Sequence, residues 1–177
     1  MTRLAIPLLA ASALALSGDA MAVQAAGRAA TSLHNAQGRL VGEAIAVRER
    51  GMVRVRLTLR GFVPGTHGVH LHQTGLCDPP AFATAGPHWN PAGRQHGRLN
   101  PQGPHLGDLP NLQVAQDGSG RLEFTIAVPA GTAPNANPLL DADGTAIVIH
   151  AAADDDRSDP AGNSGARIAC GVFAPVR

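Results

Sequence analysis

Between Thr66 and Asp108 the chain places six of its eight histidines, His67, His70, His72, His88, His96 and His105, and closes the run with Asp108. Imidazole and carboxylate at this density form the donor set of a borderline transition metal such as copper or zinc. His70 and His72 are one residue apart, so in a strand both rings leave the same face while Val69 and Leu71 turn into the core. His150 ends a second apolar stretch in which Ile147 and Ile149 face inward and His150 outward. It is placed to complete a three-imidazole set from an adjoining strand. His88, His96, His105 and Asp108 supply three nitrogens and one oxygen, enough for a closed tetrahedral site of the kind Zn²⁺ accepts. The candidates number six histidines and one aspartate, whereas two four-coordinate ions need eight donors. The count closes when one histidine, deprotonated between two cations, serves both. His34 is given no role, and His67 is read as tying its strand to a neighbouring backbone carbonyl.

Strands must position these donors. Met52 to Gly61 alternates, with Val53, Val55, Leu57 and Leu59 opposite Arg54, Arg56, Thr58 and Arg60, which is the period of a half-buried strand. Arg121 to Val128 repeats the pattern after Asp117-Gly118-Ser119-Gly120, a turn that joins it to Leu112 to Gln116 as a hairpin. Further strands are expected at Ala29 to His34, Leu40 to Arg48, Gly68 to His72, Thr145 to His150 and Arg167 to Val172, about eight in all. No segment carries a 3.6-residue apolar period, and 21 glycines and 14 prolines punctuate the chain, so the expectation is an all-β sandwich or barrel. Gln73 to Asp108 is too long for a structureless loop in a compact domain, and metal and covalent staples are expected to order it. Ala151 to Gly165 forms a second long loop, acidic at its start.

Residues 1 to 22 have the layout of a cleaved export signal, with Arg3, an apolar run from Leu4 to Leu16, and Ala20-Met21-Ala22 as the cleavage site. The run is too short to cross a bilayer core of about 30 Å. The rest, 23 to 177, suits one soluble domain with a sizeable core. A net charge of +1 implies neither nucleic acid nor an anionic membrane as partner. All 14 basic residues are arginine, for which there is no physical account. Cys77 and Cys170 are the two cysteines, and in an exported chain they are expected to form one disulfide.

The segment Gly65-Thr66-His67-Gly68-Val69-His70-Leu71-His72 resembles the copper-site motif of the copper/zinc superoxide dismutases. Gly162-Asn163-Ser164-Gly165-Ala166-Arg167-Ile168-Ala169-Cys170-Gly171 resembles their second signature. Gly86-Pro87-His88-Trp89-Asn90-Pro91, Arg94-Gln95-His96-Gly97 and His105-Leu106-Gly107-Asp108-Leu109 are similar to their zinc loop, spacings included. The resemblance implies an eight-stranded Greek-key β-barrel, an Ig-like sandwich architecture of which that family is itself a standard example. It assigns one copper per subunit to His70, His72, His88 and His150, and one zinc to His88, His96, His105 and Asp108, with His88 as the bridge. Cys77 to Cys170 becomes the family disulfide, and Arg167 the arginine that guides superoxide beside the copper. Asp154 becomes the carboxylate linking His70 to His96. Trp89 and Pro87 stand where phenylalanine and glycine are common in the family. The Ala151 to Gly165 loop is shorter than in eukaryotic members and has no lysine; the signal sequence and the short loop resemble the bacterial periplasmic branch.

The implied reaction is disproportionation of superoxide to dioxygen and hydrogen peroxide, with copper alternating between Cu(II) and Cu(I) and His88 handling the proton. A periplasmic or secreted enzyme, monomeric or homodimeric, with superoxide as its small-molecule substrate is the expectation. The competing expectation is a non-enzymatic module that stores or delivers copper and zinc. Chaperone domains of that kind usually lack part of the ligand set or the arginine, whereas here both are complete.

Overall fold

A computed structural model of the protein describes residues 27–49, 51–131 and 137–176. The export signal expected over 1–22 lies outside the described residues. The described residues form ten strands: β1 (Arg28–Asn35), β2 (Leu40–Glu49), β3 (Met52–Leu59), β4 (Gly65–His67), β5 (Val69–His72), β6 (Leu112–Val114), β7 (Gly120–Ala127), β8 (Ala146–His150), β9 (Arg167–Val172) and β10 (Ala174–Pro175). Two 3₁₀ turns, Ala83–Ala85 and Pro138–Leu140, are the helical elements among the described residues.

Nine strands lie on one hydrogen-bonded path in the order β4-β6-β7-β3-β2-β1-β9-β8-β5, and every pairing is antiparallel. The two ends of that path, β4 and β5, are separated in the chain by Gly68 alone. The path therefore returns nearly onto itself, and with β4 and β5 taken as one bent strand the expected eight strands result. The links β3 to β4 and β7 to β8 join strands that are not neighbours, which makes the barrel a Greek key.

The sheet is held by its alternation. On β3, Val53, Val55, Leu57 and Leu59 are buried, and they stand opposite Ile126, Phe124, Leu122 and Gly120 of β7. Cross-strand apolar pairs of this sort are the unit of sheet stability. On the outer face, Arg56 meets its register partner Glu123 at 2.9 Å. The hairpin between β6 and β7 is shorter than the sequence pattern indicates. Ala115 and Gly118 already belong to the turn, and Gly118 (φ +77°) packs its Cα against the Gly61–Phe62 backbone, where a Cβ would lie 3.0 Å from three atoms.

Differences elsewhere are local. The strand expected from Gly68 starts earlier, at Gly65, and is interrupted at Gly68, whose N–H donates to Ala152 O while its carbonyl accepts from His150 N–H. A Cβ there would sit 2.9 Å from that of Ser164, so glycine is what lets the second long loop approach. The two-residue β10 is too short to leave any sequence period. Cys77 and Cys170 form the disulfide, closing a separation of 93 residues between the first long loop and β9.

That first loop is also ordered by backbone bonds along the free edge of β5. Leu71 N–H donates to Gly107 O, Trp89 N–H to Leu71 O, and Leu109 N–H to Val69 O. Trp89 is thereby carried into the main core, beside Leu106 and Leu109. The outer face of β8 is covered too: Ala146 and Val148 pack with Phe82, Ala85 and Cys170 in a second apolar cluster. His150 points outward from the barrel but not into bulk solvent.

Candidate metal centre

His70 and His72 leave β5 on the face opposite Val69 and Leu71, which are fully buried in the barrel. β8 runs antiparallel beside β5 and brings His150 to the same outer face. His88 arrives from the first loop, held by a backbone bridge between His72 and His88. The donor atoms of His70, His72, His88 and His150 all lie within 4.8 Å of one another, and all four residues are buried.

Each of these rings is oriented by its other nitrogen. His72 Nδ1 bonds Gly86 O at 2.8 Å, His150 Nδ1 bonds Gly165 O at 3.0 Å, and His70 Nε2 bonds Asp154 Oδ2 at 2.7 Å. Because carbonyl and carboxylate oxygens accept, these ring nitrogens carry the proton and leave the opposite nitrogen as a bare lone pair. Those opposite nitrogens, His70 Nδ1, His72 Nε2 and His150 Nε2, are buried without a hydrogen-bond partner, as is His88 Nε2. Four unpaired buried acceptors converging on one place are costly unless a cation fills it. Burial keeps the rings neutral, lowering His70 to about 3, His72 to about 2 and His150 to about 4, and it lowers His88 as well.

Across His88 lies a second group. Asp108 Oδ1 is 2.9 Å from His88 Nδ1, 3.1 Å from His96 Nδ1 and 3.1 Å from His105 Nδ1, and the His88 and His105 nitrogens are 3.4 Å apart. The contacts from His88 and His105 are hydrogen bonds, whereas His96 Nδ1 is buried without a hydrogen-bond partner. A zinc ion with bonds of 2.0–2.1 Å would space tetrahedral donors about 3.3 Å apart, which these separations approach. The other oxygen, Asp108 Oδ2, accepts from the N–H groups of Gly97 and His105. His70 also lies within 4.8 Å of the donors of His88, His96 and Asp108, because its ring sits 3.9 Å from that of His88. His105 is at the edge of this group and borders an open cleft. The residues of both groups fit metal ions, on the strength of the unpaired nitrogens and the crowded carboxylate.

Asp154 spans the two groups, with Oδ2 on His70 and Oδ1 3.0 Å from His96 Nε2. Burial alone would lower His96, but hydrogen bonds to Asp108 and Asp154 outweigh it and raise its pKa to about 10. Despite burial, both aspartates are held well below the usual carboxylate range, Asp108 by hydrogen bonds from His88 and His96 and Asp154 by those from His70 and His96. Arg167 begins β9 opposite His150 and lines the cleft with His88. Its guanidinium donates to Phe82 O at 2.7 Å and to Gly86 O at 2.8 Å, so Gly86 O is shared with His72. His67 lies outside both groups, its ring nitrogens bonding His150 O and Val63 O. His34 is exposed on β1 and takes no part.

Sequence reasoning missed several supports. Asn111 clamps the backbone of Asp154 twice, at 2.8 Å each way, and Asp159 accepts from His96 N–H at 2.6 Å. Gly162 approaches Asp154 so closely that a Cβ would overlap the carboxylate. No motif spacing signals Asn111 or Asp159, whereas Gly162 does fall within the second signature quoted above.

A Greek-key barrel that carries two buried donor sets meeting at one imidazole defines a class: a β-barrel metalloprotein with a two-metal centre. A family model of copper/zinc superoxide dismutases (SODC) matches residues 40–173. A superoxide dismutase [Cu-Zn] of Aquifex aeolicus is 40% identical over 147 residues, covering 82% of this chain and 86% of the relative. Among solved structures, the Cu/Zn superoxide dismutase of Brucella abortus superposes with a TM-score of 0.64 at 27% identity, over 83% of this chain and 99% of that one. A superoxide dismutase-like protein of Bacillus subtilis gives 0.73 at 36% identity, over 82% and 97%. The chain belongs to the copper/zinc superoxide dismutase family.

Proposed function

We propose that the protein is a copper/zinc superoxide dismutase: two superoxide anions and two protons give one dioxygen and one hydrogen peroxide. The observation that carries this reading is the set of four unpaired imidazole nitrogens beside Arg167 at the foot of an open cleft. Copper is held by His70, His72, His88 and His150, and zinc by His88, His96, His105 and Asp108, one of each per subunit. Bound copper supplies the one-electron cycle between Cu(II) and Cu(I) that takes an electron from one anion and returns it to the next. His70 and His72 are sealed from solvent, so a small anion meets the site on its cleft side, at His88, His150 and Arg167. Arg167 remains cationic at any working pH although burial lowers its pKa, and its two anchoring carbonyls fix the direction its remaining N–H groups face. His88 Nε2, buried and without a hydrogen-bond partner, is the group that would hold and hand over a proton. His88 Nδ1, which faces Asp108, is the nitrogen that would be left to zinc.

The storage or delivery reading is disfavoured because Arg167 and both donor sets are complete. The Bacillus subtilis relative, by contrast, has been solved in a double mutant in which a tyrosine and a proline are replaced by histidine. Residues 1–22 act as an export signal and 23–177 as one domain, working in the periplasm or outside the cell. The Cys77–Cys170 disulfide supports such an oxidising location. The test is superoxide decay with copper- and zinc-loaded protein. Catalysed decay is expected, with Arg167→Ala slowing it about tenfold or more at unchanged metal content. Tight metal binding without acceleration would leave a metal-binding module.

A further inference from the structure

The cleft above the centre has a volume of about 1120 Å³, far more than a diatomic anion requires, so the width of the mouth does not select the substrate. Charge must do so, and the positive side chains available are few. The chain has no lysine. The second long loop, which forms one wall, carries Asp154, Asp155, Asp156 and Asp159 against Arg157 alone. Arg98 of the first long loop is neutralised by a two-pronged pair with Asp156 of the second, both contacts at 2.9 Å. The charged side chains that line the cleft, apart from its histidines, are Arg167, Arg94 and Asp159.

Arg94 is built into its place. Asn90 closes the short turn before it from both sides, accepting from Arg94 N–H at 2.9 Å and donating to Arg94 O at 2.7 Å. One terminal nitrogen of Arg94 donates to Gly103 O at 2.8 Å. The side chain is exposed, borders the cleft and has no ion-pair partner among the described residues, and the bond to Gly103 O uses one of its five N–H donors. A guanidinium in this state is a fixed, permanent positive charge with weak hydration, suited to attract a small anion without trapping it.

We propose that Arg94 is the second guiding cation of the cleft, a specificity-determining residue that draws superoxide and other small anions from the mouth toward Arg167. The inference rests on the superoxide reading above for the identity of the anion, but not for the guidance itself. Steering of a charged ligand by a field is a device for which this family is a standard example. What the structure adds is the residue that supplies it here, on the first long loop and not on the second.

The experiment compares wild type with Arg94→Gln, which keeps an N–H donor for Gly103 O but no charge, Arg94→Glu, which reverses the charge, and Arg94→Lys, which restores it. Copper- and zinc-loaded proteins of equal metal content are assayed for superoxide decay, and in parallel titrated with azide followed by its absorption on Cu(II). A unit charge acting over about 10 Å of water alters the encounter by roughly twofold. At about 0.01 M salt, where the screening length is about 30 Å, decay is expected to slow about twofold for Arg94→Gln and about fourfold for Arg94→Glu, with Arg94→Lys near wild type. The differences are expected to close toward 1 M salt, where that length is about 3 Å. Azide affinity is expected to follow the same order. Variants equal to wild type at low salt would overturn the proposal. So would losses that persist at high salt, since those mark damage to the loop. Should the loaded wild type fail to accelerate decay, the enzymatic reading falls. The azide series then decides Arg94 alone: a salt-dependent weakening upholds it, and unchanged affinity overturns it.

Discussion

The two donor sets differ in what holds them. Three of the four histidines in the first set, His70, His72 and His150, stand on paired strands, and their outer nitrogens are fixed by Gly86 O, Gly165 O and Asp154. In the second set, His96, His105 and Asp108 all come from a loop and hold one another. The difference extends to charge. Burial keeps the strand-held rings neutral, whereas His96, between Asp108 and Asp154, holds a proton up to about pH 10. One set is ready for a cation because its scaffold is rigid. The other attracts a cation because its carboxylates are short of one, and it must release a proton to accept it.

The largest effect is expected where that contrast is broken outright. Asp108→Ala removes the oxygen on which three imidazoles converge and one of the two carboxylates beside buried His96, a loss of up to about 3–5 kcal/mol. Zinc affinity is expected to fall by about 100- to 1000-fold while copper remains on the strands, as equilibrium dialysis with metal analysis would read. Equal loss of both metals would show that the strands do not hold their set independently. A smaller effect is expected from Asp154→Asn, since outer partners of this kind are worth about 10- to 100-fold in metal affinity. Zinc should suffer more than copper, because His70 keeps its strand when Asp154 is changed and His96 keeps only its loop. The reverse order would contradict the comparison.

Acidity sharpens the same contrast at smaller amplitude. In the metal-free protein the folded-state values of His70, His72 and His150 lie below the unfolded 6.5, so the unfolded chain binds the extra protons. Stability is therefore expected to fall as pH drops from about 6.5 toward 4, by up to about 1.4 kcal/mol per pH unit for each ring. His96 has the opposite sign: its contribution is complete below 6.5 and is lost as pH rises toward 10. Urea midpoints across this range would show a maximum between the two limbs, and a flat profile would contradict the assignment.

The strand-held set was also the more legible in the sequence. Period-two alternation placed β3 and β7, and the His-x-His spacing put His70 and His72 on one face, because these signals are local and repeat along the chain. The loop-held donors were legible by residue type and by their resemblance to a family motif, not by geometry. Asn111 and Asp159 left no trace, since each joins segments distant in sequence with no period to reveal them. Trp89 was similarly obscure. A lone aromatic in a polar loop gives no sign that backbone bonds along β5 carry it into the core. The near-closure of the barrel at Gly68 was half visible, as eight strands were expected but not that one would serve both ends of the path.

The central claim is that His88 belongs to both sets, with Nε2 facing the strand-held donors and Nδ1 facing Asp108. It is tested most directly by a crystal structure of the copper- and zinc-loaded protein with anomalous data collected at both metal edges. The account predicts two separate peaks flanking the His88 ring, copper on Nε2 with His70, His72 and His150, and zinc on Nδ1 with His96, His105 and Asp108. A single metal peak, or two peaks of which only one touches His88, would contradict it.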